Sequence, residues 1–399
     1  MLPVTVWMNM PSFYQDDLFL HLCSKVDLRV VYDHTLTEDR RQLGWAEVKS
    51  EYKSSVLDQD RKLRHAISIA RSERDRIHII NGIWAETAFT AATFVLGKAG
   101  VPFAIYTECP DMTVLRPVMR RNARAFVGHW VGRRARGLLA VSHMASDYFR
   151  ALGFPKENIY PFGYFRASPT GSETALPSER INIAYIGQLI HRKGVDLLLE
   201  AIKPLFERFP QLQLSLIGTG SEQKAIESGL QRDGLLGRVV LEGVRPSSQI
   251  HERLAIASAL VLPSRWDGWG LVVNEAFAAG VPVIASHRCG AADLILPGLN
   301  GYRFRSESVE DLRACLTSFL SADRKQMRVA ALKTGSALTV PVVTEYLVAC
   351  LEHMCRVRED RPVPPWEQML RTVESEFGRL HSVADTAQAD AKAVPSAKF

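Results

Sequence analysis

The chain has 399 residues, 47% hydrophobic and 23% charged, with a formal net charge of +6, and this length predicts two domains of roughly 150–200 residues each rather than one core. Its most apolar stretch, TAFTAATFVLGKAGVPFAIY, is broken by Gly97, Lys98, Gly100 and Pro102, which argues against a membrane span of about 20 residues. The six cysteines (Cys23, Cys109, Cys289, Cys315, Cys350 and Cys355) are scattered and form no C-x-x-C pair, which fits a reducing cytoplasm and argues against a disulfide framework or a zinc site.

The N-terminus lacks a basic region followed by an apolar run, so no secretion signal is expected. Short apolar runs then alternate with helical patterns. VTVWM, LRVVYD, IHIING and FAIYTE read as buried strands. Next comes a stretch between Asp111 and Asp147 with no acidic residue. It carries Arg116, Arg120, Arg121, Arg124, Arg133, Arg134 and Arg136, interleaved with Val118, Met119, Phe126, Val127, Trp130 and Val131. Such a segment suits an anionic membrane surface. A solvated helix face with ordinary core contacts explains it equally well, and nucleic acid ranks third because no recognised nucleic-acid module surrounds it. GLLAVS and NIYPFG complete the first half as strands.

After the polar RASPTGSETALPSER, strands recur at INIAYIG, LQLSLIG, VVLEG, ALVLPS and VPVIAS, with helical stretches GVDLLLEAIKPLFERF and SEQKAIESGLQRDG between them. Near-continuous apolar strands alternating with helices predict parallel sheets covered on both faces. Two Rossmann-like units joined by a linker are the expected result. Beyond about Ser382 the chain is rich in Ala, Asp and Lys, and reads as a disordered tail.

In open parallel sheets, ligands bind beyond the carboxyl ends of strands, where helices begin. Three such loops in the second half stand out. In YIGQLIHRKGVDLLLEA the strand ends at Gly187, and Arg192 and Lys193 sit at the turn into a helix. A phosphate is stabilised there by amides, helix dipole and side-chain charge; a solvated basic turn is the plainer alternative. In LIGTGSEQKAI, Gly218 and Gly220 flank Thr219, permitting close backbone approach or simply a turn. In SRWDGWGLVVNEAFAAGVPV, Asp267 precedes a helix that ends near Gly280, and Glu275 projects from its first turns. The amides of Gly270, Leu271 and Val272 would be its unpaired donors. A carboxylate near a helix N-terminus can be purely structural. Two carboxylates flanking a ring of amides also suit a ligand with a diphosphate in the middle and hydroxyl-bearing sugars at both ends.

These stretches resemble the E-x7-E motif of retaining glycosyltransferases of the GT-B fold, family 4 type. The resemblance runs in order through YIGQLIHRKG, LIGTGSE, LEGV, LPSRWDGWGLVVNEA and CGAADLILPGLNGY. It implies an α/β GT-B fold: two Rossmann-like domains with parallel sheets facing across a cleft. The first, 1–170, would bind the acceptor and the second, 178–338, the nucleotide sugar. Helices in 339–381 would cross back to the first domain, ahead of the tail 382–399. By the same resemblance Glu275 binds ribose hydroxyls, Asp267 holds the donor sugar, and Lys193 with Arg192 holds the diphosphate. Gly187, Gln188 and Gly218 line the donor loops, and Gly243 and Val244 meet the nucleobase. Gly268, Trp269, Gly270, Leu271 and Val272 form the loop and first amides at the donor. Two departures stand out: Gln188 replaces the family's usual arginine, and Asp267 replaces its first glutamate.

The first half matches less closely. MNMPSFYQDDLF stands where the family carries a Gly-Gly loop. Tyr14 in that loop, Glu108 at the end of FAIYTE and His143 after GLLAVS are the acceptor-side candidates. A solvated strand-end acid and a structural histidine are the plainer readings of the last two. The implied reaction is retaining sugar transfer from a UDP- or GDP-type nucleotide sugar to a saccharide, lipid-linked or small-molecule acceptor, in bacterial-type cell-surface polysaccharide, lipopolysaccharide or glycolipid synthesis. No metal or other cofactor is expected, since no Asp-x-Asp motif closes a strand. The expected location is cytoplasmic, or peripheral on the inner membrane face if the basic segment meets lipid. Two rival functions remain: a nucleotide-sugar epimerase of the same fold, and a catalytically silent scaffold.

Overall fold

The computed structural model describes residues 1–42, 51–82, 86–110, 128–167 and 180–377. The chain divides into two compact units. One comprises Met1–Ala167 with Thr339–Pro365, the other Ser168–Leu338 with Trp366–Phe399.

The first unit is built on seven strands: β1 (Pro3–Met8), β2 (Asp27–Tyr32), β3 (Lys53–Val56), β4 (Ile77–Asn81), β5 (Phe103–Glu108), β6 (Gly137–Val141) and β7 (Ile159–Phe162). They lie in the order β3-β2-β1-β4-β5-β6-β7, and every neighbouring pair is parallel. Parallel pairing needs a crossover on one face or the other, so central strands are covered on both. That is why IHII and FAIY are apolar without alternation: Ile79, Ile80, Phe103, Ala104 and Ile105 are all buried.

The second unit repeats the plan with β8 (Ile181–Ile186), β9 (Leu212–Ile217), β10 (Val239–Gly243), β11 (Ala259–Leu262), β12 (Val283–Ser286) and β13 (Gly301–Phe304). The order is β10-β9-β8-β11-β12-β13, again all parallel. Ile183, Leu198, Leu214, Val261, Ile284 and Phe319 belong to its continuous core. In both sheets the chain steps outward for three strands, then returns to the far side of the first. This is the Rossmann order, and it opens a crevice at the carboxyl edge where the stepping reverses. In the second unit that point lies between β8 and β11.

Three features differ from the sequence expectation. Strands β3 and β13 lack the long apolar run of the others; both are sheet edges, where one side of the strand needs no partner. The helical stretch GVDLLLEAIKPLFERF is two helices, Val195–Ile202 and Leu205–Arg208, because Pro204 cannot donate into the turn before it. The expected crossing segment 339–381 is divided. The helix Val340–Met354 belongs to the first unit, whereas Pro365–Phe377 lies in the second apart from Pro365, where Val373 packs with Leu299 and Ala330. The expected tail 382–399 lies outside the described residues. No single helix among the described residues is long and apolar enough to cross a membrane.

Candidate functional site

Three glycines close adjacent strands of the second unit. Gly187 follows β8, Gly218 follows β9 and Gly243 ends β10. Gly187 N donates to Ile217 O at 2.9 Å, and Gly218 N donates to Gly243 O at 2.8 Å. Gly218 has φ +139, and a Cβ there would stand 1.9 Å from Gly187 O. No side chain fits, so the carboxyl edge of these strands stays open down to backbone. Gln188 is held by its carbonyl, which accepts from Tyr185 Oη at 2.7 Å. Val244 is exposed.

Across the switch point, the loop after β8 is bonded to the loop after β11. Arg265 N donates to Arg192 O at 2.9 Å, and Arg192 Nη1 donates to Trp266 O at 2.7 Å. Arg265 forms a bidentate pair with Asp196, at 2.9 and 2.6 Å. Burial raises the Asp196 carboxyl, but the Arg265 hydrogen bonds and charge outweigh it and hold it below its ordinary range. Between the same loops, Lys193 Nζ meets Asp267 Oδ2 at 2.5 Å. Gly194, next along, has φ +67, and a Cβ there would stand 2.1 Å from Pro263 O. The two loops therefore approach as closely as backbone allows, which sets Lys193 beside Asp267.

Asp267 is buried, and its loop is itself anchored. Asp267 N donates to Arg288 O at 2.9 Å, Gly290 N to Asp267 O at 3.0 Å and Ala291 N to Trp269 O at 2.7 Å. Cys289 lies beneath; burial, then the Asp267 charge, push its thiol up, with Lys193 opposing. The Trp269 side chain, expected at the donor, is 3% exposed, and its indole N–H donates to Asn274 Oδ1 at 3.1 Å. It is an anchor of the loop. Gly268 is buried and Gly270 half-buried, with φ +88 at Gly270. The helix Val272–Ala278 follows. Its first turn closes with Val273 N on Gly270 O at 2.9 Å and Asn274 N on Leu271 O at 2.9 Å. Glu275, half-buried, lies in that first turn. Gly280 takes φ +70 just past its end, as a helix stop requires.

A profile of the family described as glycosyl transferases group 1 matches residues 171–333, the stretch that holds all of this geometry. An uncharacterised glycosyltransferase of Methanocaldococcus jannaschii is 32% identical over 129 residues, 32% of this chain and 35% of that protein. The GDP-mannose-dependent alpha-(1-6)-phosphatidylinositol monomannoside mannosyltransferase of Mycolicibacterium smegmatis is 27% identical over 154 residues, 37% of this chain and 40% of that protein. The matched stretch thus spans well under half of these two relatives. Among solved structures, Anabaena HepE in complex with UDP superimposes with a TM-score of 0.69 at 15% identity, covering 88% of this chain and 100% of that one. The fold is GT-B.

The acceptor-side candidates all lie toward the carboxyl edge of the first sheet. Tyr14 is in the first turn of the helix Phe13–Leu22, its amide donating to the Ser12 cap at 3.2 Å. Glu108 ends β5 beside the half-buried Tyr164. Burial, then the Glu108 charge, push that phenol well above its ordinary value, and its hydroxyl donates to Glu108. His143 is exposed. Of the basic segment, Arg133, Arg134 and Arg136 are exposed; Arg116, Arg120, Arg121 and Arg124 lie outside the described residues.

Two features are not written in the sequence. The backbone of Ser142, first residue of the helix Ser142–Ala151 after β6, has φ +77, a conformation uncommon for a residue with a Cβ. A group of Asp33, His34, Lys62 and Glu86 gathers beyond β2 and β4, with Lys62 Nζ on Asp33 Oδ2 at 2.7 Å. Burial, then the Asp33 charge, raise the Glu86 carboxyl. Neither carries a spacing signal, because Glu86 is more than fifty positions from Asp33 in the chain.

Proposed function

We propose that the protein transfers a sugar, with retention of anomeric configuration, from a nucleotide diphosphate sugar to an acceptor hydroxyl. The observation that carries this reading is the Lys193–Asp267 pair, 2.5 Å apart, spanning the switch point of a Rossmann sheet whose next three strand ends are glycine. Lys193 turns from Asp267 to the diphosphate oxygens when donor binds, and Asp267 then accepts from the donor sugar's hydroxyls. Glu275 accepts from the ribose. Gly243 and Val244 offer backbone to the base, and Arg192, bonded to Trp266 O, holds the phosphate-binding turn in place. The bond from the sugar's anomeric carbon to the β-phosphate oxygen breaks. The acceptor oxygen bonds to that carbon on the same face, and its proton passes to the leaving phosphate. Lys193 stabilises the charge that develops on the leaving group.

UDP heads the panel of donors because HepE was crystallised with it, and GDP follows from the mannosyltransferase's name. The reading extends to polysaccharide or glycolipid synthesis. It also extends to a cytoplasmic site with peripheral membrane contact through Arg133, Arg134, Arg136 and the arginines before them. Reversing the charge of Arg133, Arg134 and Arg136 should abolish co-sedimentation with anionic vesicles; equal sedimentation removes the membrane partner.

The functional test is a thermal-shift panel of UDP- and GDP-sugars and their free diphosphates on wild type and Glu275→Ala. A ligand of the folded state raises the midpoint by mass action, by about 2.7 kcal/mol of stability at a hundredfold excess over Kd. One donor and its diphosphate should shift wild type and not the variant. Diphosphate release only in the presence of acceptor then marks transfer; an altered sugar without acceptor marks an epimerase. No shift with any donor overturns the reading.

A further inference from the structure

We propose that the first unit holds a divalent cation between Asp33, His34 and Glu86, at the carboxyl edge of its sheet. The inference stands on the first unit alone and does not rest on the donor reading.

Strand β2 ends at Tyr32, so Asp33 and His34 are the first two residues beyond it. Their amides donate to Met8 O at 2.9 Å and Asn9 O at 3.0 Å, which ties this turn to the end of β1. Glu86 is the N-cap residue of the helix Thr87–Ala99, which follows β4. Because β2 and β4 flank β1, the fold brings the three side chains together beside the sheet's switch point. One ligand atom from each lies within 4.8 Å of the others.

The chemistry of the group asks for a positive centre. Asp33 is fully buried. Its Oδ2 accepts from Lys62 Nζ at 2.7 Å, but its Oδ1, also buried, has no hydrogen-bond partner among the described residues. Glu86 can serve that oxygen only by keeping a proton, which burial and the Asp33 charge favour, and a bound cation would take that proton's place. A carboxylate oxygen left without a donor in the interior costs on the order of 1–3 kcal/mol. Lys62 supplies one charge to the far oxygen, against two carboxylates. His34 Nδ1 lies 2.7 Å from Thr35 O, a carbonyl that can only accept, so in the neutral ring Nδ1 carries the proton and Nε2 is the nitrogen open to a metal. A metal-bound histidine is oriented by the same kind of second bond. One imidazole with two carboxylates suits Mn2+ or Zn2+ rather than Ca2+, with water or an oxygen-bearing ligand in the remaining positions.

A second trio, His191, Asp196 and Glu222, also brings its ligand atoms close together. It is the weaker candidate, because Asp196 is already gripped at both oxygens by Arg265, and it serves as the control. The test is titration of the full chain with Mn2+ alone, following the loss of the free-ion electron paramagnetic resonance signal. One Mn2+ per chain should bind and be displaced by Zn2+. His34→Gln and Glu86→Gln should each weaken binding by about tenfold or more with unchanged circular dichroism, and His191→Ala should leave it intact. Failure to retain Mn2+ at millimolar concentration overturns the site and points to a proton shared between the two carboxylates. Equal binding by the His34 and Glu86 variants, or loss in His191→Ala, overturns it as well.

Discussion

Lys193 and Asp267 show how one pair can be structural and functional together. Asp267 is 9% exposed, so removing its cation strands a charge. Lys193→Ala should lower stability by about 1–3 kcal/mol, read from the urea midpoint. If Lys193 also meets the leaving diphosphate, turnover should fall by about 10²–10³-fold, beyond anything the folded fraction explains. A purely structural lysine would move the midpoint and leave the turnover of folded protein unchanged. Lys193, Asp267 and Glu275 were legible as candidates because a basic strand-to-helix turn and acids bracketing glycines are local patterns. That Asp267 faces Lys193 was not legible, since they are 74 positions apart. What the Trp269 side chain does was not legible either: its indole is buried with its N–H on Asn274, a burial that suits a ring of that size.

Elements were legible in proportion to how fully they are covered. Central strands announced themselves by unbroken apolar runs, whereas the polar edge strand β3 did not. A histidine inside β4 illustrates what the pattern hides. His78 is fully buried. Its Nδ1 accepts from Trp7 Nε1 at 3.0 Å and its Nε2 donates to Glu73 O at 2.8 Å, which fixes the neutral tautomer. Burial depresses its pKa below the ordinary 6.5, Glu73 opposing. The sign follows directly. Above about pH 6.5 the histidine is neutral folded and unfolded, and the contribution is intact. As pH falls below that, the unfolded chain takes up the proton first, and stability declines until the folded pKa is passed. Urea unfolding between pH 7.5 and 5 should show this decline for wild type and a flatter profile for His78→Gln. Identical profiles would remove His78 as the cause.

At the scale of the molecule, the last hundred residues complete units that began far earlier. The helix Val340–Met354 brings Val343, Tyr346, Leu347, Cys350 and Leu351 to buried positions in the first unit. Tyr346 Oη donates to Pro161 O at 3.0 Å, and Tyr160 Oη lies 2.7 Å from His353 Nδ1. Ending the chain at Leu338 should therefore strip hydrogen-exchange protection from β6 and β7 while β8 and β9 keep theirs. Equal protection in both sheets would show that the first unit stands without its C-terminal helix. The sequence by itself determined the class of fold, the two-unit plan and the loops that bear charge, because strand burial and strand-to-helix turns are written in runs of neighbouring residues. Only the tertiary structure decided which loops meet. Strand order places β11 beside β8 and β4 beside β1, and that order joins Lys193 to Asp267 and gathers Asp33, His34 and Glu86. Such pairings join residues more than fifty positions apart, through crossovers whose routes no local pattern records.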